Sequence, residues 1–424
     1  MNRKTIMLIV VAALGYFVDI YDLVLFNVVK RESLSFLFPT ADPEFITNTG
    51  IFLFNMQMTG MLIGGLLWGI LGDKRGRVEV LFGSILLYSA ANIVNAFVTS
   101  VPVYAVVRII AGIGLAGELG AGITLISETM SKEKRGIGTM IVVTFGALGA
   151  VFAGLIGAKG EVIGMFLESI FHYPFPNWRV AYIMGGVLGL ALLILRIGVF
   201  ESGMFTRLKH DTEVKRGDIF LLFRTRKNLL KYLACIFVGV PIWYMIGLLV
   251  SLSQDIFAVE LGIVGKVVNG KALMYCYLGL SAGDLLSGLL SQWWKSRKKV
   301  VLLYLVFSSI LTTYFLYFAY GLTADAYYWL CFAIGMGTGY WALFVTIASE
   351  QFGTNIRSTV TNTVPNFVRG TVPVITLSFQ ALVFSLGNVH SAAFVGVLVM
   401  ILALISILYL KESFSKDLNY VEVA

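Results

Sequence analysis

This chain has very little charge. Only 13% of its 424 residues are Asp, Glu, Lys or Arg, while 58% are hydrophobic. A soluble domain carries about twice that charged share, so a soluble globular protein is excluded. Cysteine is scarce: Cys235, Cys276 and Cys331 each lie inside an apolar run and read as small buried hydrophobes, not as a disulfide or metal set. The histidines, His172, His210 and His390, are scattered and flank candidate helices, so no zinc site is expected. No G-x4-G-K-[ST] loop occurs, which argues against a nucleotide-driven pump. No His, Cys or Ser constellation gathers at one depth, so no catalytic residue, metal or cofactor is assigned and an enzyme is not expected. Short alternating strands are missing as well, which removes a membrane barrel.

What is abundant is apolar sequence in long runs. Mean hydropathy is +0.85, and the runs reach roughly 20 residues or more, the length that crosses about 30 Å of hydrocarbon. Twelve spans are expected, at about 5–29, 45–71, 78–98, 101–129, 134–157, 179–199, 229–251, 271–293, 299–319, 325–350, 356–386 and 391–411. The fold class is therefore all-α, a polytopic membrane protein. The net charge of +8 concentrates in alternate loops: Arg3 and Lys4; Lys74, Arg75 and Arg77; Lys132, Lys134 and Arg135; Lys295, Arg297, Lys298 and Lys299; Lys411 and Lys416. The opposite loops hold few, such as Lys30, Arg31 and Lys159. This asymmetry sets orientation and does not call for nucleic acid; it places both termini in the cytoplasm. Asp19 and Asp22 in the first run argue against a cleavable signal.

The longest polar stretch, 200–228, follows six spans and precedes six more, dividing the chain into a bundle at 1–199, a linker at 200–228 and a bundle at 229–424. Inside it, Ile219 to Phe223 followed by Arg224, Arg226 and Lys227 suits an amphipathic helix on the inner leaflet. Segment 159–178, with Pro174, Pro176 and Trp178, reads as an ordered outer-face excursion. The two halves also match each other. Gly60-x3-Gly64-Gly65-Leu66-Leu67-x-Gly69 in the second span aligns with Gly279-x3-Gly283-Asp284-Leu285-Leu286-x-Gly288 in the eighth, and Glu128-x6-Arg135 with Glu350-x6-Arg357. A near-constant displacement of Glu and Arg indicates internal duplication, as in transporters built from two pseudo-symmetric halves.

Between the second and third spans lies a tight charged turn that must sit at a membrane face. Its pattern G-x-x-x-D-[KR]-x-G-R, here Gly69, Asp73, Lys74, Gly76 and Arg77, resembles the signature loop of the major facilitator superfamily. In the fourth span Arg108-x3-Gly112-x-Gly114-x2-Gly117-Glu118-x-Gly120, with Glu128 and then Arg135-Gly136, is similar to the pattern of that superfamily's metabolite:proton symporters and sugar-porter-like relatives. Asp19-x-x-Asp22-Leu23 looks like the D-x-x-D-L of organic acid, vitamin and phosphate carriers. The resemblance spans essentially the whole chain. It implies two six-helix bundles around a central cavity that works by alternating access. It also implies cytoplasmic gating networks formed by Asp73, Arg77, Glu128, Arg135, Glu350 and Arg357.

Ionisable groups inside spans need a reason, since each costs at least roughly 2.5–3.5 kcal/mol at mid-bilayer unless paired or wetted. Asp19 and Asp22, three apart, share a helix face. Counting the rise per residue puts Asp22 and Arg108 at one depth, about 10 Å below the outer helix ends, as candidates to pair across the cavity, and Glu118 about 15 Å further along. Asp19, Asp22 and Glu118 are the candidate proton-coupling groups; static ion pairs holding the bundle are the alternative. In the eleventh span Asn362, Asn366 and Arg369 form one polar stripe, with Pro365 and Pro373 expected to bend the helix. Arg369 either pairs with Asp284 at similar depth or receives a substrate carboxylate through its planar donor fork. Tyr340 and Trp341, with Trp243 and Tyr244, are candidate cavity walls or packing residues. The substrate-binding set is thus Arg108, Arg369, Asn366, Asn362, Tyr340, Trp341 and Asp284. The expected function is proton-coupled symport of a small polar organic anion or zwitterion by a monomer in the lipid bilayer, in a bacterial inner membrane, with the proton as coupling ion. A proton-driven exporter of a drug-like or siderophore-like compound is the alternative, and a non-transporting substrate sensor a minor one.

Overall fold

The computed structural model describes residues 3–75, 77–118, 135–201, 221–353 and 356–414. For several residues at helix ends, Asp73, Arg77 and Arg135 among them, it describes the backbone alone. In chain order the helices are α1 Arg3–Leu37, α2 Pro43–Arg75, α3 Arg77–Asn95, α4 Val101–Leu115, α5 Arg135–Lys159, α6 Glu161–Phe171, α7 Asn177–Glu201, α8 Arg226–Tyr244, α9 Asn269–Trp294, α10 Arg297–Tyr317, α11 Ala324–Thr338, α12 Trp341–Gln351, α13 Arg357–Gly370 and α14 Val372–Tyr409. Helices satisfy their own backbone groups, which is what hydrocarbon demands. The single β pairing among the described residues is an isolated bridge between two loops, Val264 to Thr323.

Not every crossing is one helix. α14 has 38 residues, about 57 Å if straight, nearly twice the hydrocarbon thickness. It is divided at Gly387, whose φ of 72° lies in the left-handed region open to glycine. α13 with the first part of α14 is the eleventh crossing and the remainder the twelfth. α11 and α12 share the tenth, interrupted at Gly339 and Tyr340. The seventh is α8 continued by the π-helical turn Met245–Val250, four residues after Pro241, whose ring cannot donate to the helical ladder. With the shorter α3 and α4, the described residues supply a helix to each of the twelve expected crossings. Arg3 and Tyr409 therefore lie on one face, here called the terminal face; the opposite one is the far face.

Two expectations about loops are refined. The first helix continues to Leu37 instead of stopping near 29, because Lys30 and Arg31 find a partner in Asp255 and the helix runs on past the apolar run. The 159–178 excursion contains α6. Of the polar stretch 200–228, residues 202–220 lie outside the described residues; a helical turn at Leu221–Arg224 buries Leu222 and exposes Phe223.

The duplication is visible in the packing. A Cβ at Gly60 or Gly64 of α2 would strike the carbonyls of Ile109 and Ile113 in α4 and the residues beyond it, and one at Gly279 or Gly283 of α9 would strike those of Phe332 and Met336 in α11. The reverse contacts match as well, Gly112 against Gln57 and Gly335 against Cys276. In membranes, where apolar attraction between helices is weak, such small-residue seams let backbones approach and are a main source of association. The halves meet along α2 with α13 and α5 with α9. Charge faces inward: Asp19, Asp22, Arg108, Glu118 and Arg369 are all buried. Large apolar side chains such as Ile194 and Ile405 are 71% and 61% exposed and face outward.

Candidate functional site: a buried arginine in an aromatic cavity

Between the halves, α1, α5, α8, α9, α12 and α13 line a small cavity whose walls include Tyr16, Trp243, Ile246, Tyr277, Trp341 and Arg369. Arg369 is the one charged wall residue. Its guanidinium lies 5.4 Å from the Trp341 ring centre and 5.9 Å from that of Trp243, so both rings face the cation. Its Nη1 donates to Asn366 Oδ1 at 3.4 Å, and Nη2 stands 4.0 Å from Asp19 Oδ2 on the opposite half. Neither Asp19 oxygen has a hydrogen-bond partner, nor does Arg369 Nε. The pair is half made: close enough to compensate charge, too long to use the donors of the fork.

The structure corrects two pairings read from depth. Arg369 does not pair with Asp284. Asp284 Oδ1 accepts the backbone N–H of Ala342 at 3.0 Å and so caps α12, where the tenth crossing restarts after its interruption. Asp22 does not pair with Arg108 either. Arg108 donates through Nη2 to Gln57 Oε1 and lies 4.9 Å from the Phe26 ring centre, while both Asp22 oxygens are without a partner. Asp22 instead lies beside Gly185 and Asn92 in the interior of the first half. Depth along a helix fixes a level but not a direction. The 60° between positions three apart sends Asp19 to the other half and Asp22 into its own.

Glu118 forms a buried two-point pair with Arg196, Nη1 to Oε2 at 3.0 Å and Nη2 to Oε1, and Gly15 backs directly onto it. Asn362 Nδ2 donates to Gly65 O at 3.2 Å and Asn366 Nδ2 to Ala116 O at 2.8 Å, so this stripe ties the eleventh crossing to the first half. Pro365 and Pro373 flank the break at Thr371. Of the aromatic candidates, Trp243 and Trp341 reach the cavity. Tyr340 turns away, donating to Val238 O at 3.0 Å, and Tyr244 donates to Ala392 O at 2.7 Å. Tyr16, Tyr277 and Arg196 were missed; Arg196 sits near the end of an apolar run, where it passed for a flanking charge.

On the far face the halves are latched. Lys30 Nζ lies 2.9 Å from Asp255 Oδ2 and donates to Ser251 O at 2.9 Å; Arg31 Nη1 donates to Asp255 Oδ1 at 3.1 Å. Asn269 Nδ2 donates to Asn27 O and Ser251 O at 2.9 and 3.0 Å. Burial alone would raise the Asp255 carboxyl, but the charge and hydrogen bond of Lys30, then those of Arg31, hold it below the usual carboxylate range. On the terminal face Glu350 pairs with Arg297 at 2.8 Å, and Arg357 Nε donates to Ser349 O at 3.0 Å. Gly69, one turn before Asp73, sits against Thr363 of α13. Of the other gating candidates, Glu128 lies outside the described residues, as do the side chains of Asp73, Arg77 and Arg135.

Helical throughout the described residues but for one isolated bridge, twice built, and with its buried charge gathered between two pseudo-symmetric halves, this is a multi-pass membrane protein. The Major Facilitator Superfamily model matches residues 12–369, and the chain belongs to that family. It is 30% identical over 143 residues to the niacin transporter NiaP of Acinetobacter baylyi, covering 34% of this chain and 30% of the relative. It is 24% identical over 262 residues to the 3-(3-hydroxy-phenyl)propionate transporter of Escherichia coli, covering 62% and 59%. These matches thus span from under a third to about three fifths of the relatives' own length. The solved structure of the proton:xylose symporter XylE bound to 6-bromo-6-deoxy-D-glucose superposes with a TM-score of 0.67 at 19% identity, covering 98% of each chain. This is a likeness of fold.

Proposed function

We propose that this protein is a secondary transporter that carries a small aromatic monocarboxylate together with a proton. The observation that carries the reading is Arg369, buried among Trp243 and Trp341 with unused donors, facing Asp19 at 4.0 Å. A substrate carboxylate would take the planar fork, and a flat ring would lie against the indoles. Names of relatives point the same way, one a niacin carrier and one a carrier of a hydroxyphenyl propionate.

Coupling follows from charge. One guanidinium cannot neutralise two carboxylates in a dry cavity, so entry of the anion requires a proton on Asp19. The loaded site then holds substrate anion, arginine and a neutral acid, and can reorient without moving net charge. Asp22 is the second titrating candidate; Glu118, held at two points by Arg196, serves as a structural acid. The terminal-face network of Glu350, Arg297 and Arg357, together with Asp73 of the charged turn, gates the inner side. The protein works as a monomer, with its termini in the cytoplasm of a bacterial inner membrane, the orientation its Lys and Arg distribution favours. The test is uptake of labelled aromatic monocarboxylates into proteoliposomes with the outside acidified. The reading requires accumulation that Asp19→Asn loses while counterflow persists. Accumulation indifferent to the proton gradient would overturn it.

A further inference from the structure

The interior of the first half holds a second polar feature that the substrate cavity does not use. α3 carries Ser89, Asn92 and Asn95, about one turn apart along one face, with Tyr88 beside Ser89, and all four are buried. Tyr88, Ser89 and Asn92 meet α7, and Asn92 lies beside Asp22 of α1. α7 meets them with glycines: a Cβ at Gly189 would strike Ser89 Oγ, and one at Gly185 would strike Asp22 Oδ1 and touch Asn92 Nδ2. The Tyr88 hydroxyl, Ser89 Oγ, Asn92 Nδ2, both amide atoms of Asn95 and both oxygens of Asp22 have no hydrogen-bond partner among the described residues. Elsewhere some interior hydroxyls are satisfied by protein, Tyr232 to Thr363 at 2.8 Å and Tyr340 to Val238 at 3.0 Å, and unpaired ones such as those of Ser291, Thr312 and Ser391 lie on three different helices. Unpaired polar atoms in hydrocarbon are strongly disfavoured, and seven in one seam call for a shared small ligand that both donates and accepts, which is water. Ser89, Asn92 and Asn95 are spaced three apart, and helix side chains at that spacing stand about 5–6 Å from each other, a gap that one water closes with two hydrogen bonds of about 2.8 Å each. The seam also has an exit: Asn95 ends α3 at the far face, four residues before exposed Thr99.

We propose that this seam holds a chain of ordered waters through which Asp22 exchanges protons with the far face, separate from the substrate cavity. The amides of Asn92 and Asn95 hold the waters. Water and the Ser89 hydroxyl relay: each oxygen accepts a proton on one side and releases one on the other, so the net change is one proton bound by the Asp22 carboxylate, which hands it on to the Asp19 carboxylate three residues back on α1. The titratable and charged groups around Asp22 are Asp19 and Tyr21 on α1, Arg108 on α4, Tyr88 on α3 and Tyr182 on α7, with the Glu118–Arg196 pair beyond Tyr88. Because α2, α13 and the far-face latch take no part, the path persists while the substrate route is shut on that face.

The proposal rests on the proton-coupled reading, and its test separates the two. X-ray radiolytic labelling of the intact protein in H2-18O reports on buried water. Tyr88 is expected to take up label well above Tyr340, an equally buried tyrosine whose hydroxyl is satisfied by protein. In proteoliposomes Asn95→Leu is expected to slow proton-driven accumulation severalfold and leave counterflow unchanged, and Asn95→Ser, which can still hold water, to restore it. Tyr88 as protected as Tyr340, or Asn95→Leu indistinguishable from a proton-driven wild type, overturns the seam and leaves the coupling intact. A wild type without proton dependence overturns both.

Discussion

Asp255→Asn should open the far face. Asp255 and Lys30 are 2% and 4% exposed and 2.9 Å apart, so the pair is barely screened. Removing one partner of a buried pair costs about 3–5 kcal/mol, because the other charge stays buried alone. The lower figure applies, since Ser251 O still accepts from Lys30 at 2.9 Å. Arg31, 44% exposed, adds little. In the open state Lys30 meets water and is not penalised, so the loss falls on the closed state: roughly 3 kcal/mol, a shift of about 150-fold toward opening. The assay is disulfide crosslinking of an Asn48→Cys, Gln380→Cys pair, two far-face residues whose side chains now meet at 3.4 Å. The native cysteines are all buried and free and do not interfere. Crosslinking should fall steeply in Asp255→Asn and recover in Lys30→Met with Asp255→Leu, which swaps the pair for apolar contact. The pH dependence has a definite sign. A carboxyl held below its usual range keeps its stabilisation at neutral pH and loses it only as pH falls through that lowered value. Mild acidification should therefore leave the latch shut. Unchanged crosslinking in Asp255→Asn would refute the latch.

Other expectations are more local. Arg369→Lys keeps the charge but loses the two-point fork, so substrate affinity should fall about tenfold with no change in melting temperature; equal affinity would remove Arg369 from the site. Asp22→Asn should abolish proton-driven accumulation and spare counterflow, and loss of both would make Asp22 structural. Gly335→Ala drives a Cβ into the Cys276 carbonyl and should lower thermal stability by about 1–3 kcal/mol. Gly337→Ala, which meets only the tip of Leu311 and the Ser308 hydroxyl, should be milder. Glu412 accepts from Ser296 and from the N–H groups of Arg297 and Phe414; burial would raise its carboxyl, but these donors hold it below its usual range. Glu412→Ala should cost stability at neutral pH and nothing once the wild-type carboxyl is protonated, as a pH series of melting curves would show.

Much of the architecture was legible because hydrocarbon imposes simple rules. Apolar runs had to be crossings, and the spans expected at 356–386 and 391–411 left a gap where the structure breaks at Gly387. The matched glycines of the second and eighth spans foretold equivalent backbone contacts in the two halves. The pairing of charges was not legible. The interruption at Gly339 that gives Asp284 a helix end to cap is a tertiary feature, and nothing near Asp284 in sequence announces it. Lys30 read as a loop cation, since its partner Asp255 lies 225 residues away. Arg196 was hidden by its place at the end of a run, although an arginine there needs an acid as much as one at mid-span.

The central claim is that Arg369 binds the substrate anion only when Asp19 has taken a proton. Its most direct measurement is the external pH of weakly buffered proteoliposomes when an aromatic monocarboxylate is added outside. Wild-type protein should alkalinise the medium by one proton per substrate taken up, and Asp19→Asn should take up substrate by exchange with no pH change. Uptake without alkalinisation in the wild type, or undiminished alkalinisation in Asp19→Asn, would contradict the account.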